Sequence, residues 1–270
     1  MKDYWDKVLH FAKTTANKVG NELQADFGQV RPQEKPDGTL ITQSDKWSDE
    51  EVQKAIAEAF PDHGILSEEG ERIFPESEWC WVVDPLDGTT NFARRIPLWA
   101  VSLALLYKGT PVFGYVHVPP LGQSFYGFWY GDTGLSGPRG AFMNNRLVRG
   151  STDSLTRNHF FSFCSRSIHK AANPFPCKIR MFGVATYNLL TVASGCTLGA
   201  VEATPKIWDI AAVYPIIRAA GSVWVSLEQN EIFPLTVGQD YADRPFPTLV
   251  VARPEMVPIF KPMLESLGTS

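Results

Sequence analysis

The sequence predicts layered α and β structure on three observations. Residues 3–26 place Tyr4, Trp5, Val8, Leu9, Ala12, Ala16, Val19 and Leu23 at helical spacing along one apolar stripe. Short apolar runs recur at 79–83, 99–107, 111–118 and 123–129, each the length of a buried strand. Beyond residue 150, strand-like and helix-like stretches alternate, which an all-helical bundle would not show.

Taken in order, the first helix gives way to a turn-rich stretch, Arg31 to Gly38, with Pro32, Pro36 and Asp37-Gly38. A second helix is predicted over 45–60. Ser48 and Glu51 fit a capping box, Trp47 and Val52 fit its staple, and Pro61 ends it. Trp79 to Val83 reads as a buried strand that stops at Asp84-Pro85. Residues 130–150, with several glycines, Pro138 and Asn144-Asn145, suit a crossing between two halves, 1–145 and 146–270. The second half reads as strands near 159–163 and 179–182, a helix near 184–194, a strand near 198–203 and a helix near 209–220. Strands near 222–227 and 247–252 complete it. Pro215 should kink the 209–220 helix.

Composition narrows the function. Apolar residues make up 44% of the chain and charged residues 20%, which describes a globular protein and not a disordered one. A net charge of -4 argues against broad affinity for nucleic acid. The longest apolar runs fall short of a membrane span, and the N-terminus carries charges where a secretory signal needs an apolar stretch. Cys80, Cys164, Cys177 and Cys196 form no C-x-x-C pair, so the expectation is reduced thiols in the cytoplasm.

Acidic charge is concentrated. Ser67 to Asp87 holds seven acids and one base, Arg72, and nets -6. Glu71, Glu76 and Glu78 read as solvated loop charges. Asp84 and Asp87 end an apolar strand, where a carboxylate is costly to bury. Two carboxylates about 4 Å apart repel by roughly 4 kcal/mol at an effective dielectric of 20. Such groups must protonate, separate or hold a cation, and oxygen donors favour Mg²⁺ or Mn²⁺. On these residues alone, a metal-dependent phosphate enzyme and a capped strand-turn both stand.

Trp81-Val82-Val83-Asp84-Pro85-Leu86-Asp87-Gly88-Thr89-Thr90-Asn91-Phe92 resembles the first signature of the inositol monophosphatase family. Trp208-Asp209-Ile210-Ala211-Ala212, with Ala219-Ala220-Gly221 behind it, resembles the second. Leu66-Ser67-Glu68-Glu69-Gly70, Asp37 to Asp45 and Gly140 to Asn145 resemble three further elements, in the family's order. The resemblance implies an α/β sandwich (α+β) with αβαβα layering, a large mostly antiparallel sheet in the first half and a smaller sheet in the second.

It also implies roles. Glu68, Asp84, Asp87 and Asp209, with the carbonyl of Leu86, would hold two or three Mg²⁺ ions, Mn²⁺ being a substitute. Asp45 with Thr89 would orient and deprotonate the attacking water, and the amides of Gly88 and Thr89 would hold phosphate oxygens. Gly183, Val184, Ala185 and Glu202 would contact the substrate. Plainer roles stand beside these. Asp45 and Asp209 can each cap the helix that follows, Glu202 can be a strand-end charge, and Lys35 can be solvated or lie near the metals. The activity implied is hydrolysis of inositol monophosphate. Alternatives are histidinol phosphate, fructose 1,6-bisphosphate, 3′-phosphoadenosine 5′-phosphate, or a regulatory role through protein partners. The partner expected is a small phosphorylated polyol or sugar, with no nucleic acid and no membrane; a homodimer and Li⁺ sensitivity follow from the same resemblance.

Overall fold

The computed structural model describes residues 2–36, 38–168, 174–228 and 231–267; Asp37 and His169 lie outside them. Helix α1 (Lys2–Asp26) leads through a small hairpin, β1 (Gln33–Glu34) and β2 (Leu40–Ile41), to helix α2 (Gln43–Ala59). The chain then runs through β3 (Gly64–Ser67), β4 (Trp79–Asp87), the short helix α3 (Thr89–Ala93), β5 (Ala100–Tyr107), β6 (Thr110–Val118), β7 (Gln123–Phe128), β8 (Gly140–Met143) and β9 (Arg146–Val148). These strands form a seven-stranded sheet in sequence order, with β3 and β4 parallel and the other pairs antiparallel. The remainder comprises β10 (Phe160–Phe163), β11 (Lys178–Arg180), α4 (Ala185–Ala193), β12 (Gly199–Glu202), α5 (Ile207–Ala211), α6 (Val213–Ala219), β13 (Val223–Ser226), β14 (Thr248–Val251) and α7 (Val257–Phe260). Its five-stranded sheet runs β11-β10-β12-β14-β13.

Three apolar cores stack these elements into five layers. Helices α1 and α2 bury Trp5, Val8, Val52 and Ile56 against Trp81, Val83, Val101 and Leu103 of the first sheet. The opposite face of that sheet, with Val82, Ala104 and Leu106, meets Leu189, Ile210 and Ile216 of α4, α5 and α6. The second sheet sends Val250 into this middle core and Phe161, Phe163, Leu249 and Val251 outward against Met256 and Phe260. Both faces of β4 are therefore covered, which explains its unbroken apolar run. The order is α-β-α-β-α.

Three expectations are corrected. The α2 capping box is Thr42 with Asp45, not Ser48 with Glu51. Thr42 takes the extended conformation of an N-cap, and the Asp45 carboxylate accepts its N–H at 2.7 Å. Ser48 therefore lies inside the helix. Strand β4 does not stop at Asp84-Pro85 but continues to Asp87 through a register shift against β5. Residues 130–150 are not only a crossing, since β8 and β9 complete the first sheet and extend it three residues past position 145. The 209–220 helix breaks at Ala212, where Pro215 lacks the N–H that would bond the carbonyl of Ala211.

One packing feature places the second half of the site. Ala104, Gly114, Gly127 and Ala141 are cross-strand partners in a row over β5, β6, β7 and β8. This row of small residues forms a trough in which the α5–α6 break lies. A Cβ at Gly114 would sit 1.9 Å from the carbonyl oxygen of Ala212, and one at Gly127 would sit 2.8 Å from the Cα of Ile216. Backbone meeting backbone cannot relax by a rotamer change. Gly114→Ala should therefore destabilise the protein by about 3 kcal/mol, the upper part of the usual overpacking range. A urea midpoint equal to wild type would show that the trough has slack.

Candidate active site

The bulge in β4 is what makes two carboxylates three residues apart useful. In a regular strand, residues i and i+3 point to opposite faces. Here Asp84 pairs with Ser102 and Asp87 with Ala100, so β4 carries one residue more than β5 across this span. Pro85 suits the bulge because it brings no N–H to the ladder. The extra residue returns Asp87 to the side of Asp84.

Asp209 arrives from the other half on α5. It occupies the third helical position, not the N-cap, and its Oδ2 accepts the backbone N–H of Lys206 at 2.6 Å. Ligand atoms of Asp84, Asp87 and Asp209 all lie within 4.8 Å of one another. Asp84 and Asp87 are buried and Asp209 is half-buried. The three share one cavity of about 510 Å³ with Glu68, Leu86, Gly88, Thr89, Gly183, Val184, Ala185 and Glu202.

Each acid is held differently. Asp87 caps α4 from a distant strand: Oδ1 accepts the N–H of Ala185 at 3.2 Å, and Oδ2 accepts the N–H and hydroxyl of Thr186 at 2.7 and 2.6 Å. Asp84 Oδ1 accepts the N–H of Leu86 at 3.0 Å. Its Oδ2 is buried and has no hydrogen-bond partner in the structure. Glu202 Oε1 accepts the side-chain amide of Asn188 at 2.5 Å. Lys35, from the β1–β2 hairpin, lies 2.5 Å from Glu69 and 3.5 Å from Glu68, so it borders the site.

The cluster is under electrostatic strain. Burial, and then the charges of Glu68, Asp87 and Asp209, raise the Asp84 carboxyl well above the carboxylate range. Burial and then Asp87 and Glu68 do the same to Asp209. Burial raises Asp87 despite its three hydrogen bonds. Glu68 is pushed up to about 7 by burial, with Lys35 pulling the other way, and Glu202 is pushed up to about 8 by burial. A divalent cation fits this set: the donors are all oxygen, they converge, and one buried carboxylate oxygen lacks any other partner.

Asp45 stands behind the cavity wall. Its Oδ1 lies 3.0 Å from the hydroxyl of Thr89, and that hydroxyl lies 3.0 Å from the carbonyl of Leu86. Burial raises its carboxyl, with bonds from Thr42 and Thr89 opposing. Gly88 has a left-handed φ of 93°, and a Cβ there would lie 2.8 Å from the Cγ2 of Val184. Only glycine satisfies both constraints. Val184 is buried and packs on Gly88, and the Ala185 amide is used by Asp87, so their side of the cavity is a wall more than a row of donors.

Sequence reasoning placed Thr186 only in the segment Gly183 to Thr186 that resembles a substrate contact, and gave Asn188 and Asn91 no role. Asn91 donates from its side-chain amide to the carbonyls of Leu98 and Phe182 at 3.0 and 2.8 Å, stitching the two rims of the cavity together. A buried Asn inside α4 was the available signal, because Asn is poorly suited to a helix interior unless its amide has work elsewhere. Of the histidines, His63 is sandwiched by Phe60 and Trp79 and accepts the indole N–H of Trp81, far from any metal role.

The chain matches the model of the inositol monophosphatase family over residues 4–251. It is 32% identical over 232 residues to a fructose-1,6-bisphosphatase/inositol-1-monophosphatase of Aquifex aeolicus, covering 81% of this chain and 85% of the relative. It is 31% identical over 239 residues to a histidinol-phosphatase of Mycobacterium tuberculosis, covering 82% and 87%. The crystal structure of the extragenic suppressor protein suhB from Bartonella henselae superposes with a TM-score of 0.79 at 27% identity, over 96% of this chain and 98% of that one. The bulged Asp84/Asp87 pair, the closing Asp209 and the five-layer architecture thus sit in a chain that belongs to the inositol monophosphatase family of phosphatases.

Proposed function

We propose that this phosphatase is Mg²⁺-dependent and hydrolyses inositol monophosphate to inositol and phosphate. The observation that carries the metal is the partnerless, buried Asp84 Oδ2 inside the converging triad. Asp84, Asp87 and Asp209, with Glu68 and the Leu86 carbonyl, would hold two or three Mg²⁺ ions, for which Mn²⁺ can substitute. Bound there, the ions would offset the carboxylate charge, polarise the phosphoryl group and acidify water.

The chain's own groups do the rest. Thr89 Oγ1 accepts a proton from water on the cavity side while its own proton passes to Asp45 Oδ1. Asp45 is therefore the general base, acting through Thr89. The amides of Gly88 and Thr89, at the uncapped start of α3, face phosphate oxygens. Asn188 fixes the Glu202 side chain, whose carboxyl oxygens accept hydrogen bonds from ring hydroxyls of the leaving alcohol and so favour a polyol over a deoxy analogue.

Phosphate release from a substrate panel tests the reading. Inositol 1-phosphate should exceed histidinol phosphate, fructose 1,6-bisphosphate and 3′-phosphoadenosine 5′-phosphate in kcat/KM. Glu202→Gln should cost about 10–100-fold on inositol phosphate, the worth of a hydrogen bond to a charged group. A different member leading the panel would reassign the substrate and keep the metal chemistry.

The same reading includes Li⁺ sensitivity, a homodimer and a cytoplasmic location. Half-exposed Ile96 and Met181 at the cavity rim support pairing, and four free cysteines support a reducing compartment. No helix among the described residues is long and apolar enough to cross a membrane. A sedimenting mass of one chain would remove the dimer.

A further inference from the structure

Arg72 is the lone base in the acidic stretch from Ser67 to Asp87, and the proposed metal chemistry leaves it unused. It does not pair with a carboxylate of the triad. Its Nε–H donates to the backbone carbonyl of Glu68 at 2.9 Å. Its guanidinium lies over the ring of Trp208, 5.8 Å from the centroid. Trp208 is buried and immediately precedes Asp209. The Arg72 carbonyl in turn accepts the N–H of Tyr241 at 3.0 Å, which anchors the residue to the second half of the molecule.

One side chain thus touches two acid-bearing segments whose carboxylates are 141 positions apart in sequence. The other ties of the Glu68 loop run to its own side of the site: the Glu68 N–H donates to the Val83 carbonyl at 3.2 Å, the Ser67 N–H to the Glu71 carbonyl at 2.9 Å, the Ser67 hydroxyl to the Asp49 carboxylate, and Lys35 lies against Glu69 and Glu68. None of these contacts involves the Asp209 segment. Mutual repulsion of the acids favours their separation. A cation that binds a carbonyl and an indole face opposes that separation without taking up carboxylate oxygens that an ion would need. Lys35 behaves differently, because it lies directly against Glu69 and Glu68.

We infer that Arg72 is a positioning residue that sets the distance between Glu68 and Asp209 and thereby tunes affinity for the divalent ion. The inference rests on the proposed metal site. It depends on a planar, forked side chain: lysine would keep the charge but lose both the Nε–H directed at Glu68 and the flat face on Trp208.

Isothermal titration of the substrate-free protein with Mg²⁺ tests it, comparing wild type, Arg72→Ala and Arg72→Lys, with the melting temperature in EDTA recorded for each. Both variants should bind Mg²⁺ on the order of tenfold more weakly, the low end of the effect of removing an outer-layer partner of a metal ligand. Should Arg72→Ala fail to fold, Arg72→Lys carries the comparison. Mg²⁺ affinity in Arg72→Lys within about twofold of wild type, including the case where only the melting temperature falls, overturns the inference. Absence of Mg²⁺ binding by wild type overturns the metal reading beneath it, and so separates the two failures.

Discussion

Asp84→Asn should cut phosphate release by at least about 10³-fold and, in the same protein, raise the stability of the metal-free form. The first effect follows from losing the central member of the proposed metal site. Metal polarisation supplies several kcal/mol to the transition state, and each 1.36 kcal/mol is a factor of ten. The second follows from burial. Folding raises the Asp84 carboxyl well above its ordinary value, so the folded state holds this proton more tightly than the unfolded chain does. Stability from such a group is complete below the unfolded value near 4 and is lost as pH rises towards the folded value. The metal-free wild type should therefore melt lower at pH 8 than at pH 5, and the neutral asparagine should flatten that slope. Added Mg²⁺ should restore wild type and leave the variant unmoved. Melting curves in EDTA and in Mg²⁺ at both pH values decide the matter. A variant that turns over like wild type, or one that melts lower than wild type in EDTA at pH 8, contradicts the assignment.

Asp45→Asn should separate chemistry from ion binding. Asp45 reaches the cavity only through Thr89 and contributes no atom to the triad. Loss of the proposed base should lower kcat by about 10²–10⁴-fold, while Mg²⁺ titration of the folded variant stays close to wild type. Asparagine keeps an oxygen able to accept the Thr42 N–H, so the start of α2 should survive. The pH profile is the sharper readout. Burial raises the Asp45 carboxyl, so wild-type activity should climb with pH as this group ionises, and the variant should lack that acidic limb. An unchanged limb would assign proton removal to another group.

The acids were legible because their chemistry is local. Asp84, Pro85 and Asp87 sit within four positions, and a strand that ends in carboxylates is an anomaly that sequence alone exposes. The five layers were legible through the family resemblance and through apolar runs covered on both sides. What was not legible depends on partners remote in the chain. The bulge that re-aims Asp87 appears only once β4 is laid against β5. Thr186 matters because Asp87 lies beside it across 99 positions, and Asn91 because Phe182 lies beside it across 91. The Ala104-Gly114-Gly127-Ala141 trough is a single surface written on four strands, and no window along the chain displays it. The α2 start was misread for a different reason. Two overlapping boxes compete there, and Thr42 with Asp45 wins because the same carboxylate also meets Thr89.

The closing of the acidic triad by α5 has a consequence for biosynthesis. Asp84 leaves the ribosome 125 positions before Asp209. At about 5–20 residues per second, roughly 6–25 s pass before the third carboxylate joins the first two. Throughout that interval the nascent chain carries Asp84 and Asp87 without their final companion, so an ion that needs all three carboxylates would load only after the α5 segment has docked on β4.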